Sequence, residues 1–242
     1  GISTDGSTFT LTDPAAIFSL TQAVIDAGFS GAGTNSLTGP VAGLSLLNLD
    51  LGNGNDSLGA LNGGSAAISV ASIGILTATA TIASTGPISL SAPTLQSTAA
   101  GLLASPSVQL EGNSIGTSSE HMRTQAGSVA VLINNGAAFV TELDGGNFTA
   151  TATGAGAITA VNSSGTLNFA ATSAAGNISA TSTTGTLNVV GPVQSISGNL
   201  SLSSGDEVIL ASNVSAGSGL IAIAGNTDGV GSEGVSQTGG II

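Results

Sequence analysis

Three groups of residues carry types that could do chemistry. The stretch Ser118-Ser119-Glu120-His121-Met122-Arg123 holds the chain's one His, one Met and one basic residue. A Ser/His/Asp hydrolase would have only His121 to use as its base. The plain reading of the stretch is an exposed loop; a polar site or subunit contact made by Glu120, His121 and Arg123 is the alternative. The second group is Asp50 and Asp56, which flank the Gly/Asn-rich run Leu51-Gly52-Asn53-Gly54-Asn55 and bring hard oxygen ligands suited to Ca²⁺. The third is a set of six Asn-x-Ser/Thr sequons, at Asn55, Asn147, Asn162, Asn177, Asn199 and Asn213, which would be glycan acceptors in an exported chain. Chance is a rival explanation where Ser and Thr are so common.

Catalysis finds little else to work with. Enzymes that cut polysaccharides on long β-folds use clustered carboxylates, basic groups facing the developing anion, and aromatic platforms for the sugar. With one basic residue, no Trp and no Tyr, this chain lacks that set, and the expectation is that it is not an enzyme. Cys is absent, which removes disulfides, thiolate chemistry and sulfur-ligated metals. Lys is absent too, so neither a Schiff base nor a Lys crosslink is available. Thr77-Ala78-Thr79-Ala80-Thr81 and Thr149-Ala150-Thr151-Ala152-Thr153 have the spacing of ice-binding Thr ranks. Twenty residues after Thr149, Thr151 and Thr153, however, stand Phe169, Ala171 and Ser173, which predicts no flat ladder.

Charge and composition narrow the partners. The net charge of −12 rests on 13 acids against Arg123, so a phosphate backbone or anionic lipid surface would be repelled. No apolar run reaches the ~18 residues of a spanning helix, and an outer-membrane barrel would lack its aromatic girdle. Nucleic acid and membrane insertion are therefore not expected. Hydrophobic residues at 41 % are enough to fold, but 37 glycines and six Phe leave few bulky side chains for a broad interior. A narrow, repetitive cross-section, in which each layer covers the next, suits such a composition.

The elements that would position these residues show themselves between Ala157 and Ile196. Ile158 recurs as Ile178, Ala160 as Ala180, and Gly165-Thr166-Leu167-Asn168 as Gly185-Thr186-Leu187-Asn188, a period of 20 residues. Each period holds two short alternating runs, the pattern of strands with one buried face. A βαβ crossover does not fit in that length. Like residues recurring at the full period predict a parallel β-helix in which Leu187 lies directly over Leu167. The same style continues less regularly through Gly146-Asn147-Phe148-Thr149, Gly198-Asn199-Leu200-Ser201, Glu207-Val208-Ile209-Leu210 and Leu220-Ile221-Ala222-Ile223. The most apolar stretch, Val70 to Ala83, also alternates as strand does. At ~4.8 Å per layer, roughly ten to twelve coils would give a rod on the order of 50–60 Å long.

The first 36 residues read differently. Asp13-Pro14 makes an N-cap and first-turn pair, Ile17, Leu20 and Val24 sit at near-helical spacing, and Gly28 could close a helix over residues 15–27. Such a helix would plug the apolar end of the first coil; the alternative is that Ile17-Phe18-Ser19-Leu20 is one more strand. The division expected is a cap over residues 1–36 and a β-solenoid over 37–242. Gly1 is not Met, so a secretion signal is expected to have been removed or to lie outside this segment. Gly239-Gly240-Ile241-Ile242 carries no cap and looks made to continue into another coil or subunit.

Ser114-Ile115-Gly116-Thr117, Arg123-Thr124-Gln125-Ala126-Gly127-Ser128-Val129 and Phe139-Val140-Thr141-Glu142 resemble the filamentous-haemagglutinin-like β-strand-repeat proteins of bacterial surfaces. Asn226-Thr227-Asp228-Gly229-Val230-Gly231, running into Gly234-Val235-Ser236-Gln237, also looks like a cassette of that group. The resemblance is one of repeat style and covers most of the chain after about residue 37. It implies a right-handed parallel β-helix displayed outside the cell as an adhesin, fibre or biofilm-matrix component, and it carries over no catalytic residue. The secretion-domain signature that opens two-partner-secreted members is not found. Leu51 to Leu58 separately resembles half of the glycine-rich nonapeptide that binds Ca²⁺ between facing coils, in a single copy where such sites use tandem copies. A plain Asx/Gly turn is the competing reading, and Ca²⁺ is the one cofactor in question. The expected partners are copies of the chain itself, further repeats of a longer chain, or a surface ligand held by loops.

Overall fold

A computed structural model describes residues 2–4, 7–12, 19, 21–230 and 234–242. Its body is a parallel β-solenoid of about nine turns with roughly 21 residues per turn. Leu167 and Leu187 are direct partners in adjacent coils, as are Asn168 and Asn188, Ile158 and Ile178, and Ala160 and Ala180. The count is below the ten to twelve expected, and the described residues before strand Leu46–Asp50 pair in an antiparallel meander instead of a coil. At ~4.8 Å per layer the stack is roughly 40 Å long.

One stack of strands runs through Leu46–Asp50, Ala67–Ala71, Ile88–Ser91, the second half of Leu102–Gly112, the second half of Met122–Ile133, Gly146–Ala152, Leu167–Ser173 and Leu187–Ser195. A second runs through Asn55–Leu58, Ile75–Ala78, Thr94–Ser97, Ser114–Ile115, Ala138–Glu142, Ile158–Asn162, Ile178–Ser182, Leu200–Ser204 and Ile221–Ala224. A third, short stack of Leu61–Asn62, Thr81–Ala83, residues 102–105 and residues 124–126 gives the early coils three sides. Thr124 of this stack pairs with Glu142, the last residue of Ala138–Glu142, no strand lies over Gln125 and Ala126, and the middle coils have two sides. Near the C-terminus the first stack splits at Val190-Gly191-Pro192, and Val208–Leu210 and Val214–Ala216 pair with its two halves.

Inward positions form one continuous apolar column. Ile68, Ile88, Val108, Val129, Phe148, Phe169, Val189 and Leu210 succeed one another in register, all buried. The Phe148 and Phe169 rings stack with centroids 5.7 Å apart, which fills the interior at the two-sided coils where the neighbouring inward residues are Ala150 and Ala171. In the Val70 to Ala83 stretch, Leu76 and Ala78 point inward, while Ile73 sits on an exposed corner. Thr149 and Thr151 face outward opposite Ala170 and Thr172, a spacing of 21 rather than 20. The neighbours therefore differ from those expected, and Thr ranks still do not recur on every coil.

Among the described residues, the N-terminal end is closed by strands. Ile2–Thr4, Thr8–Thr12 and Ser36–Pro40 form an antiparallel meander, and Ile2–Thr4 adds in parallel to the first-coil strand Asn55–Leu58. Phe9 is buried at the end of the solenoid core and meets Phe29 edge to face at 5.6 Å. The expected N-cap Asp13-Pro14, together with Ile17 and Leu20, lies outside the described residues. Within them a single helical turn, Gln22–Asp26, is followed by Gly28 at φ +91°, whose N–H returns to Ile25 O.

Corners recur with glycine because coils approach backbone to backbone there. A Cβ on Gly176 would lie 2.0 Å from Gly156 O, and one on Gly198 would lie 2.2 Å from Gly176 O. Gly176→Ala is therefore expected to force the coils apart and destabilise the fold by about 2 kcal/mol or more, measured as a fall in Tm. Gly234→Ala, where a Cβ meets nothing within 4 Å, is expected to leave Tm unchanged.

Candidate functional site

The polar groups that bear on function lie at corners, because strand interiors are taken up by the ladder. Ser195, fully buried, accepts the Gly198 N–H of its own corner at 2.8 Å and donates to Gly176 O one coil earlier at 2.8 Å. Ser173 does the same with the Gly176 N–H and Gly156 O, both at 2.8 Å. Each hydroxyl thereby staples a turn to the coil beneath. Outside the core, Asn168 donates to Asn147 at 3.0 Å and Asn188 to Asn168 at 3.1 Å, an amide ladder along one edge of the first stack.

The sequons fall into two environments. Asn162 is fully buried, with Nδ2 committed to Gly165 O at 2.9 Å and Ser182 Oγ at 3.1 Å. Asn55, Asn147, Asn177, Asn199 and Asn213 are exposed. The side-chain oxygens of Asn177, Asn199 and Asn213 accept the N–H of Asn199, Leu220 and Ile241 respectively, so these amides double as caps on the corner of the following coil.

Asp50 and Asp56 are each engaged locally. The Asp50 carboxylate accepts the Gly52 N–H at 3.2 Å, an Asx turn, and Asp56 accepts the Ser72 hydroxyl of the next coil at 2.7 Å. No group of three or more His, Cys, Asp or Glu side chains suited to a metal occurs among the described residues.

Glu120, His121 and Arg123 lie on or beside the one long excursion from the second stack. Ile115 pairs with Ala138 and Met122 with Val140, so residues 116–121 stand opposite Phe139 alone. His121 Nδ1 bonds Thr141 Oγ at 2.9 Å, its ring lies 5.6 Å from that of Phe139, and partial burial lowers its pKa. Arg123 reaches the opposite way and donates to Ala99 O at 2.7 Å. The His121 and Arg123 side chains are thus tied to different coils. Nearby, Ser91, Glu111, Asn113, Leu132 and Asn134 line a shallow lateral groove of about 300 Å³.

The most perturbed group is one that sequence reasoning passed over. Glu142 stands at an inward position after Ala138 and Val140, and only 2 % of it is exposed. It sits where the third stack ends. Its Oε1 accepts the Ala126 N–H at 3.0 Å, supplying the acceptor that a further strand would have provided, and the Leu143 N–H at 3.1 Å. Thr124 Oγ lies 2.6 Å from Oε2. Burial first, then the neighbouring Asp144 carboxyl, raise the Glu142 pKa to about 7 against the pull of the Thr124 and backbone donors. The available signal was period-two alternation, which places this acid on the core side of its strand.

No protein-family model, curated protein or solved structure matches the chain.

Two outcomes test the corner chemistry. Ser195→Ala leaves the Gly198 N–H and Gly176 carbonyl without their staple and is expected to cost about 1–3 kcal/mol by thermal or denaturant unfolding, whereas outward-facing Ser201→Ala costs nothing measurable. Chelator and added Ca²⁺ are both expected to leave Tm unchanged, since the Asp50 and Asp56 carboxylates already hold protein donors. A rise of several degrees with Ca²⁺ would place an ion in that loop.

Proposed function

We propose that this chain is an enzymatically inert shaft segment of an extracellular bacterial fibre, associating end to end with a further copy or further repeats. The observation that carries this reading is the parallel coil-on-coil ladder that runs, among the described residues, from Leu46 to Gln237, threaded by one apolar column. Such a ladder gives length and axial stiffness, while the acidic, Ser/Thr-rich outer positions keep the rod from lateral aggregation. The style of the repeats, which resembles filamentous-haemagglutinin-like surface proteins, supports display outside the cell.

The two ends are unequal, and that sets how association would run. The first coil carries an antiparallel meander, whereas the last-coil strands Ile221–Ala224 and Val235–Gln237 have, among the described residues, a strand on one side only. Leu220 is 77 % exposed there, and Val235, Ile241 and Ile242 are exposed beside it. An open edge of this kind is a template for another strand.

A second reading, an adhesin module, has the lateral groove beside Leu132 and the excursion at residues 116–121 in its favour. Sedimentation of the purified chain over a concentration series separates the two. The fibre reading expects multimers that lengthen along the rod and are lost when Ile223→Lys and Val235→Lys place charge on the open edge. A chain that stays monomeric throughout, yet is retained by immobilised glycans or host-cell surfaces, favours the adhesin.

A further inference from the structure

We infer that the corner built by Thr124, Glu142, Asp144 and Asn162 is a proton-binding site, in which Glu142 is a neutral carboxylic acid hydrogen-bonded through its O–H to Thr124. Three geometric observations converge on it. The Thr124 hydroxyl has one proton and faces two acceptors, Glu142 Oε2 at 2.6 Å and Thr141 O at 3.3 Å. A carboxylate would take that proton and leave Thr141 O without it. An acid that donates from Oε2 to Thr124 Oγ frees the Thr124 proton for Thr141 O, and both contacts become hydrogen bonds.

Oε1, which accepts the Ala126 and Leu143 N–H groups, is then the carbonyl oxygen of the acid and keeps its bonds unchanged. Asn162, the register partner of Glu142 one coil further on, supplies the second observation. Its Nδ2 is committed to Gly165 O and Ser182 Oγ, and its buried Oδ1 has no hydrogen-bond donor. The amide at the register position beyond Glu142 therefore spends both its N–H protons elsewhere and offers the carboxyl none.

The third observation is Asp144, two residues on, whose backbone N–H reaches Glu142 Oε1 at 3.5 Å and whose carboxylate is held by Gln125 Nε2 at 3.3 Å. A second carboxyl so close makes ionisation of the buried Glu142 costlier than burial alone does. Of the other groups packed around the corner, strand Met122–Ile133 contributes one charge, Arg123, which is engaged with Ala99 O. Strand Ile158–Asn162 and the corner Ser163-Ser164-Gly165-Thr166 contribute none.

The consequence for stability follows from linkage. An acid whose pKa rises on folding, from 4.5 to about 7, binds its proton more tightly in the folded chain. Its contribution is complete below the lower value and is lost as pH climbs between the two. Over that window the folding equilibrium constant is expected to fall by roughly two orders of magnitude through this group. The shaft would hold in mildly acidic surroundings and loosen, at the point where its cross-section changes, on the alkaline side.

The direct test is infrared difference spectroscopy of the folded chain between pH 5 and 9. The wild type should show a protonated-carboxyl C=O band that titrates near neutrality and is missing from Glu142→Gln. Asp144→Asn should move the midpoint of that band to lower pH, a shift that a purely structural role for Asp144 would not cause. Denaturation of wild type and Glu142→Gln across the same range should show a stability difference that grows with pH in favour of the variant. If the wild type has no such band at pH 6, or if Glu142→Gln keeps it, Glu142 is ionised and the inference fails.

Discussion

Every coil of this chain depends on the coils before and after it for its backbone hydrogen bonds. Parallel strands that return to the same side after about 21 residues have no partner within their own turn, so each N–H and C=O must meet the adjacent layer. That requirement fixes the layer spacing, and the spacing then selects the residues. An inward side chain has its equivalents immediately above and below, so like stacks on like, as in the run from Ile68 through Phe169 to Leu210. A thin core of Leu, Ile, Val and Ala is enough, because each residue is covered on two sides by its own counterparts.

The same constraint makes corners the demanding positions. At a turn the ladder is interrupted, and the freed backbone groups need side chains to take them up. Ser173 and Ser195 answer it by accepting from their own turn and donating to the layer before. Gly176 and Gly198 answer the complementary problem, since a neighbouring carbonyl occupies the place where a Cβ would stand. The high Ser and Gly content is thus part of the folding code of a solenoid, and reading it as low complexity would miss its purpose.

Legibility of the chain followed the same division. Where coils repeat at nearly constant length, from Ile158 to Ile178 or from Leu167 to Leu187, self-similarity alone placed residues on top of one another. Where coil length shifts by one, the alignment slipped, and Thr149 met Ala170 instead of Phe169. The N-terminal meander was not legible, because Ile2–Thr4 pairs with Asn55–Leu58 across more than 50 residues and no periodicity encodes such a contact. The third stack escaped for a related reason: residues 102–105 and 107–112 form one continuous strand, and the bend between its halves lies in geometry rather than composition. Glu142 carried a signal, its inward place in the alternation Ala138, Val140, Glu142, but a buried acid in such a chain is improbable until the missing strand beside Ala126 is known.

That missing strand explains where the buried acid sits, beside the chain's one His and one Arg. At the inward positions along most of the shaft, repetition leaves no role for a charge, since its neighbours in the next layers would be asked to carry one too, and like charges at layer spacing repel. Repetition fails between Ile115 and Gly146, where six residues bulge out opposite Phe139 and the third stack is succeeded only at Thr124, by Glu142. Free of the like-on-like rule, the chain places Glu120, His121, Arg123, Glu142 and Asp144 there. Arg123 and His121 bind the coils on either side of the excursion, and Glu142 completes the backbone of Ala126. A carboxyl serves in this last place because it can accept two N–H groups on one oxygen and still exchange a proton on the other. An amide or hydroxyl could fill the gap, but it would leave the junction indifferent to pH.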